Sequence, residues 1–348
     1  MMTPWQPVTE PNVWLGADIQ DSARWIHHFD DREIAEIDAA LAHCRARGAS
    51  LATMTRTDFP LPTVARRIEA MLDELENGLG LYLLRGFPTA GRPVDDLRAI
   101  YWGIGLYCGV AVSQSKRGDV LGDVRDLGTP HDGPEFRGYT SNGALTYHTD
   151  AADVTGLFCL RAARRGGLSR IVSTGAMHNE ILRRAPDLLD ELYGDYAWGL
   201  QGNEKPGEPA WYTQPVFARR DGRFASRYTR THIRTAELNP DAPAMTDRQR
   251  AALDLIDTIA NEDRFNVTMM FEPGDMQFLN NHLTLHTRTA FEDHDDPTQK
   301  RHLLRLWLSP PNSRALPDGF APFFRDIRAG VPRGGFPGHS DERRFATA

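Results

Sequence analysis

Residues 145–167 have the sequence LTYHTDAADVTGLFCLRAARRGG, an alternating run that contains His148 and Asp150 and then turns apolar. In an extended chain, residues two positions apart place their side chains on the same face. The pattern therefore predicts a buried strand that directs an imidazole and a carboxylate to one side. Two roles are open for this pair: a hydrogen-bonded structural contact, or two ligands of a metal ion.

The composition indicates a soluble globular protein. Of the 348 residues, 41% are hydrophobic and 25% are charged, and the net charge is −7 with no long Lys/Arg run, which argues against nucleic-acid binding. No stretch approaches the roughly 20 apolar residues of a membrane span, and the N-terminal residues do not have the pattern of a signal peptide. Three widely spaced cysteines match neither a disulfide framework nor a zinc site. We therefore expect a cytoplasmic protein that binds neither nucleic acid nor a membrane. Its oligomeric state stays open, with a homo-oligomer as one option.

The order of the predicted elements favours a mainly β core with flanking helices. Residues 1–110 are predicted to be mainly helical, with one buried strand in GLGLYLLRGFP at residues 78–88. Strands with long connections are predicted over residues 141–310, with an aromatic and basic insert at about 194–245. The Pro- and Gly-rich residues 311–348 are predicted to form a C-terminal arm. Because the strands do not alternate with helices in βαβ units, we expect a barrel or sandwich.

Hydrophobic periodicity gives the individual elements. Apolar residues three or four positions apart predict helices at residues 30–47, 61–78, 94–109, 178–194 and 246–262. Alternating or continuous apolar runs predict strands at residues 141–150, 156–162, 168–174, 212–219, 223–230, 264–281 and 301–308.

The tripeptide His-x-Asp/Glu is not diagnostic by itself, since it occurs five times in a chain with 12 histidines and 47 acidic residues. The other four copies lie at predicted helix starts, in a charged loop and in the C-terminal arm. Only the pair of His148 and Asp150 lies in an extended segment flanked by apolar residues. This context makes it the one copy suited to hold a metal, although a structural hydrogen-bonded pair is the simpler explanation.

A second set of polar residues lies near the other end of the predicted core. The segment EPGDMQFLNNHLTLHTRTAF (residues 272–291) contains a turn, a strand, an Asn-Asn corner, and then His282 and His286. The strand at residues 301–308 alternates so that one face carries Arg301, Leu303, Arg305 and Trp307. A buried guanidinium is costly unless it is paired, and arginine geometry suits a bound carboxylate. Ion pairs within the fold are the alternative.

Two histidines and one carboxylate would leave three positions open on one side of an octahedral metal, an arrangement that suits ferrous iron in oxygenases. The motifs YHTD, a following Gly-Gly turn, and GDMQFLNNHLTLHTRTAF…KRHLLRLWL resemble the taurine dioxygenase-like (TauD/TfdA-type) family of Fe(II)/2-oxoglutarate oxygenases. The resemblance runs from about Gly78 to Pro310. It implies a double-stranded β-helix, or jelly roll, with helices packed outside, and one oxygenase domain over residues 1–348.

The resemblance implies that His148, Asp150 and His286 bind Fe(II). His286 is chosen over His282 because the distal histidine of the family follows the Asn-containing corner by several residues and precedes the aromatic turn. Asp150 fills the ligand position that halogenases of the family leave open, so halogenation is not expected.

The resemblance also implies a 2-oxoglutarate site. Arg301 matches the family's 2-oxoglutarate arginine, and Arg305 matches a second arginine that assists the co-substrate or meets an anionic substrate. The hydroxyl that helps to hold 2-oxoglutarate usually follows a Gly-Gly pair, which makes Ser169 the candidate after residues 166–167. Two departures concern Ser169: the sequence is Gly-Gly-Leu-Ser where the family often has Gly-Gly-Asp-Thr, and the interval from the first histidine is short. The interval from His286 to Arg301 is slightly long, which indicates an inserted loop at residues 292–299.

The implied activity is that of an Fe(II)/2-oxoglutarate-dependent dioxygenase, with O2 as the oxidant. It would hydroxylate, desaturate or cyclise at an unactivated C–H of a small molecule, such as an amino acid or another carboxylate, with release of succinate and CO2. In the family, insertions near residues 194–245 often cover the substrate pocket, and an ordinary pair of strands with exposed charges is the alternative for this insert. The alternatives are a Zn-dependent hydrolase or isomerase on the same barrel, and a non-catalytic sensor that binds 2-oxoglutarate.

Overall fold

The computed structural model describes residues 5–128 and 138–345. Within this part of the chain the helices are α1 (Gly16–Ile19), α2 (Asp31–Ala46), α3 (Val64–Asn77), α4 (Val94–Cys108), α5 (Thr174–Arg184), α6 (Leu189–Tyr193), α7 (Arg230–Ala236), α8 (Asp247–Ala260) and α9 (Ala321–Phe324). The predicted helices at residues 30–47, 61–78, 94–109 and 246–262 are thereby confirmed. The predicted helix at residues 178–194 is broken into α5 and α6, because Pro186 cannot donate a backbone hydrogen bond and disfavours a helical conformation at Ala185.

The strands before the insert are β1 (Ile26–His28), β2 (Leu81–Arg85), β3 (Val110–Ala111), β4 (Leu121–Val124), β5 (Val154–Arg161), β6 (Arg165–Gly166) and β7 (Ser169–Ser173). The strands from the insert onward are β8 (Asp195–Gly199), β9 (Trp211–Pro215), β10 (Phe217–Arg220), β11 (Arg223–Ser226), β12 (Asn266–Met269), β13 (Met276–Asn280), β14 (Thr284–Arg288), β15 (Phe291–Glu292) and β16 (His302–Ser309).

Two sheets form the centre of the molecule. The larger sheet has the order β1-β2-β13-β5-β16-β3, with β4 also paired to β16, and all of its pairs are antiparallel except β1 with β2. The smaller sheet has the order β12-β7-β14. The larger sheet therefore takes strands from residues 26–124, outside the range 141–310 that we expected to supply the β core.

Helices cover the outer faces of both sheets, and β16 shows how the sequence achieves this. Leu304, Leu306 and Leu308 enter a buried cluster together with apolar residues of α2, α3 and α4. The alternate side chains of β16 face a cavity on the other side of the sheet, as its period of two predicts. The smaller sheet packs in the same way against α5 and α8, through Val172 and Leu285.

The predicted strand at residues 141–150 is wrong. Only His148 takes part in pairing, through isolated bridges to His286 and Thr229. The adjacent backbone donors have other partners, because Thr149 donates to the Tyr228 carbonyl and Asp150 donates to the Asn281 side chain. The backbone hydrogen bonds of this segment therefore go to three different parts of the chain, and no continuous strand ladder forms.

The segment that we expected to be a C-terminal arm packs into the body of the protein. Phe320, Phe323, Phe324 and Phe336 are buried in one cluster. Two buried arginines of the same segment form ion pairs with the rest of the chain, Arg314 with Glu76 at 2.6 Å and Arg333 with Asp153 at 2.9 Å.

We expect Asp153→Ala to lower the free energy of unfolding by about 3–5 kcal/mol, because it leaves the buried guanidinium of Arg333 without its carboxylate and the buried His282 imidazole without its hydrogen-bond partner. Urea denaturation, monitored by circular dichroism, measures the change in the free energy of unfolding. Asp326→Ala is the control, since it breaks an exposed ion pair with Arg328 and should leave the midpoint unchanged. Equal effects of the two substitutions would contradict the prediction.

Candidate metal centre and its arginine-lined cavity

A cavity of about 290 Å³ lies between the two sheets and is lined by side chains from both. Its wall includes one acidic residue among the described residues, Asp150, and four arginines, which are Arg227, Arg288, Arg301 and Arg305. The cavity is therefore a strongly cationic space inside a chain whose net charge is negative.

The structure brings His148, Asp150 and His286 together on the cavity wall. One potential ligand atom from each lies within 4.8 Å of the others. Reciprocal backbone hydrogen bonds of 3.0 Å join His148 to His286, and this pairing places the two imidazoles side by side. Among the described residues, this is the one group of three such side chains close enough to hold a metal ion.

Hydrogen bonds fix the orientation of two of these groups. The His148 Nδ1 lies 2.8 Å from the Thr146 carbonyl oxygen, so Nδ1 carries the proton and the Nε2 lone pair is left for a metal. The Asp150 Oδ2 accepts a 2.6 Å hydrogen bond from the Thr155 hydroxyl. Asn281 holds the backbone of Asp150 and also donates to the Thr155 oxygen. The polar Asn-Asn corner of the sequence thus helps to hold the Asp150 carboxylate in place.

The electrostatics suit metal binding at neutral pH. Burial lowers the pKa of His286 to about 3, and the neighbouring His148 adds to the effect. Burial also lowers the pKa of His148, against the opposing charge of Asp150. Burial alone would raise the pKa of Asp150, but the charges of Arg305, His286 and His148 hold it well below its usual range. Two neutral imidazoles and one carboxylate are the protonation states that a divalent metal requires.

His282, the other histidine of the second motif, lies away from this group. Its Nε2 is 2.7 Å from an Asp153 carboxylate oxygen, and it packs against Phe324. His282 belongs to the buried ion-pair network that ties the C-terminal segment to the core.

Arg301 and Ser169 also line the cavity. The Arg301 side chain is buried, and its Nη1 has no hydrogen-bond partner. No carboxylate of the described residues lies within 4.0 Å of this guanidinium, so none of them supplies the internal ion pair that was the alternative for Arg301. The Ser169 hydroxyl lies 3.3 Å from the Gln277 amide. Gly167 adopts a φ of +73°, and a Cβ there would lie 3.5 Å from the Arg301 Nε.

Arg305 has partners within the fold. Its Nε donates to the Gln114 side chain at 2.8 Å, and its Nη1 lies 3.3 Å from the Asp150 Oδ1. The internal ion pair that the sequence left open is therefore present for Arg305.

Several cavity residues were not identified from the sequence as site residues. Arg288 could have been found, because it lies two positions after His286 and must share its face if the segment is a strand. Gln114 and Phe336 come from distant parts of the chain, and no local pattern marks them. Of the aromatic and basic residues noted in the insert, Arg227 reaches the cavity, whereas Arg230 pairs with Asp254 and Asp257 on α8.

Two histidines and one carboxylate, gathered at the wall of a cavity that offers further ligand positions, define the class of non-haem Fe(II) oxygenases. The profile of the family described as "Taurine catabolism dioxygenase TauD, TfdA family" matches residues 45–307. The chain belongs to this family and is a non-haem iron oxygenase.

Relatives and solved structures agree with this assignment. The chain is 34% identical over 318 residues to the FR-33289 synthase of Streptomyces rubellomurinus (strain ATCC 31215). The match covers 90% of this chain and 93% of that protein. It is 27% identical over 207 residues to a uridine-5'-phosphate dioxygenase of Amycolatopsis sp. The match covers 55% of this chain and 73% of that protein.

The fold is similar to that of an asparagine oxygenase in complex with Fe(II), 2S,3S-3-hydroxyasparagine and succinate, with a TM-score of 0.63 and 18% identity over 82% of this chain and 93% of that chain. It is also similar to the non-haem iron oxygenase OrfP in complex with Fe and alpha-ketoglutaric acid, with a TM-score of 0.61 and 14% identity. This match covers 81% of this chain and 93% of the OrfP chain.

The cofactors of this chain are Fe(II), 2-oxoglutarate and O2, and the described residues fit them. The triad supplies the donor set that Fe(II) oxygenases use. The buried, unpaired Nη1 of Arg301 is a donor suited to a carboxylate of 2-oxoglutarate. Within residues 5–128 and 138–345, no helix is long and apolar enough to cross a membrane.

Proposed function

We propose that this chain is an Fe(II)/2-oxoglutarate-dependent dioxygenase that hydroxylates an unactivated C–H of a small anionic molecule and releases succinate and CO2. Desaturation and ring formation are the other outcomes that this site chemistry allows. The observation that carries the proposal is the convergence of His148, Asp150 and His286 within 4.8 Å, in the same cavity as the Arg301 guanidinium, whose buried Nη1 has no hydrogen-bond partner.

In this proposal, His148 and His286 bind iron through Nε2, and Asp150 binds through its carboxylate. When bound, Fe(II) activates O2 and couples the oxidative decarboxylation of 2-oxoglutarate to oxidation of the substrate. The Thr146 carbonyl keeps the proton of His148 on Nδ1, and Thr155 holds Asp150 in place. Arg301, with the Ser169 hydroxyl, binds the distal carboxylate of 2-oxoglutarate. We further propose that the chain forms one oxygenase domain whose two sheets build a double-stranded β-helix.

The charge of the cavity supports an anionic substrate. Arg227 is 3% exposed, and no carboxylate of the described residues lies within 4.0 Å of its guanidinium. Its Cζ lies 3.7 Å from the Phe323 ring centre, and its Nη1 donates to the Tyr212 hydroxyl at 2.5 Å. A guanidinium fixed by aromatic groups, without an acid, is well placed to bind an anionic group of a ligand. The names of relatives that act on uridine-5'-phosphate or asparagine are consistent with a phosphate or a carboxylate as that group.

The test of this function is the stoichiometry of the reaction. Purified protein is supplied with Fe(II), 2-oxoglutarate and a panel of small carboxylates and phosphate esters, and O2 uptake and succinate are measured together. We expect equal amounts of O2 consumed and succinate formed, stimulated by at least one anionic compound. Loss of a test compound with Zn(II) in place of Fe(II), with neither O2 uptake nor succinate, would favour the hydrolase or isomerase alternative. Binding of 2-oxoglutarate without turnover would favour the sensor.

With the substrate that this panel identifies, we expect Arg227→Met to raise KM about 10- to 100-fold, the effect of losing a charge-assisted contact. The affinity for 2-oxoglutarate should stay the same, because Arg227 lies on the insert and Arg301 precedes β16. Arg230→Met is the matched control, since Arg230 is three residues away and pairs with α8. An unchanged KM for Arg227→Met would contradict the role.

A further inference from the structure

Arg288 is a buried cation that has no carboxylate partner among the described residues. It lies on β14, two residues after His286, is 6% exposed, and lines the cavity. Its Nη2 donates to the Gly143 carbonyl, but Nε and Nη1 are both buried without a hydrogen-bond partner. No carboxylate of the described residues lies within 4.0 Å of the guanidinium. Since an unpaired buried charge is strongly unfavourable, this arrangement indicates a site that a ligand completes.

The register of the smaller sheet places Arg288 beside the co-substrate residues. In the antiparallel pair of β14 and β7, Arg288 lies directly opposite Ser169, and directly opposed residues project their side chains from the same face of a sheet. The guanidinium carbons of Arg288 and Arg301 lie 4.7 and 5.0 Å from the centre of the Phe291 ring. Ser169, Arg288 and Arg301 therefore line the same cavity, with Ser169 paired to Arg288 and both arginines next to Phe291.

Arg301, like Arg288, is a buried arginine with an unsatisfied hydrogen-bond donor. Its Nη1 is buried without a partner, and its positive charge adds to the effect of burial in lowering the pKa of Arg288. One carboxylate placed between the two guanidinium groups would give donors on both sides an acceptor and would offset their positive charges.

We propose that Arg288 and Arg301 together bind the distal carboxylate of 2-oxoglutarate, so that Arg288 is a second co-substrate-positioning residue. The inference rests on the proposed function, because it takes 2-oxoglutarate as the ligand of this part of the cavity. Two other roles are distinguishable: Arg288 could contact the substrate, or it could act only as a structural contact to Gly143 and Phe291.

The test compares two keto acids that share the metal-chelating end. 2-Oxopentanoate has the carbon skeleton of 2-oxoglutarate with a methyl group in place of the distal carboxylate. The dissociation constant of each is measured anaerobically with the Fe(II)-loaded protein, through the visible absorption of the chelate. We expect Arg288→Met to weaken binding of 2-oxoglutarate about 10- to 100-fold and binding of 2-oxopentanoate less than about threefold.

The stability of the ligand-free protein supplies a second readout. Because Arg288→Met removes an unpaired buried charge, we expect the melting temperature of the metal-free protein to stay the same or to rise by about 2 °C. A structural arginine would lower it. Arg288→Gln retains a donor for the Gly143 carbonyl and gives the same comparison of keto acids if the methionine variant does not fold. The matched control is Arg170→Met, on β7, because Arg170 pairs with Asp263 outside the cavity.

The outcomes separate this inference from the proposed function. If the wild-type protein with Fe(II) binds neither keto acid, the proposed function is wrong. If the wild type binds 2-oxoglutarate and the Arg288 variants bind it equally well, only the role of Arg288 is wrong. An equal loss for both keto acids would also overturn that role, because it would place the effect at the chelating end or in the fold.

Discussion

His286→Gln is expected to weaken Fe(II) binding at least about 100-fold and to abolish oxygenase turnover with it. The substitution removes one of three ligand atoms that lie within 4.8 Å of one another, and an amide is a poor substitute for an imidazole as an iron ligand. Anaerobic equilibrium dialysis of the purified variant against Fe(II) measures the change directly.

His282 provides the matched control for this prediction. It lies four residues before His286 and is also buried, but its imidazole pairs with Asp153. His282→Gln should lower the melting temperature, because it perturbs the buried network with Arg333, and should keep one Fe(II) per chain. If His282→Gln loses iron and His286→Gln keeps it, the assignment of the distal ligand is wrong.

Arg301→Met is expected to raise the dissociation constant of 2-oxoglutarate about 100-fold or more. The guanidinium is 4% exposed and has no carboxylate partner among the described residues, so its charge is available for the co-substrate. Titration of the anaerobic Fe(II) protein with 2-oxoglutarate gives the constant. The melting temperature of the metal-free variant should not fall by more than a few degrees, since no ion pair with a described residue is lost.

Arg161 is the control for Arg301. It ends β5 beside the start of β16, and its guanidinium donates to the Lys300 carbonyl and contacts His302, outside the cavity. Arg161→Met should bind 2-oxoglutarate like the wild type. A wild-type affinity in Arg301→Met would leave this arginine without a role in co-substrate binding.

The strand at residues 302–309 shows what the sequence predicts well. Its alternation alone places Arg301, Leu303, Arg305 and Trp307 on one face, and all four line the cavity. A period of two is a local property of an extended chain, so no knowledge of the neighbours is needed. The same rule applied to His286 would have added Arg288 to the site.

The segment at residues 145–150 shows where local reasoning fails. His148 and Asp150 do meet on one side, but not because they lie in a strand. Separate contacts to β14, to the insert and to Asn281 hold the backbone there, and such long-range pairing is not encoded in the local pattern.

Residues 311–348 were expected to form an arm because they are rich in Pro and Gly. Four of its phenylalanines nonetheless pack against the body of the protein, and one of these, Phe336, reaches the cavity. Composition predicts the irregular backbone of this segment, but its packing depends on apolar surface that distant residues supply. The same holds for Arg227 and Gln114, which depend on tertiary packing for their places at the site.

The central claim is that His148 and Asp150 hold iron together with His286 in a site that binds 2-oxoglutarate. The most direct measurement is the visible absorption of the metal-free protein after anaerobic addition of Fe(II) and then 2-oxoglutarate, with His148→Ala measured in parallel. We predict the weak charge-transfer band of chelated iron in the wild-type protein and none in His148→Ala. No band in the wild-type protein, with zinc bound at the same residues instead, would contradict the claim.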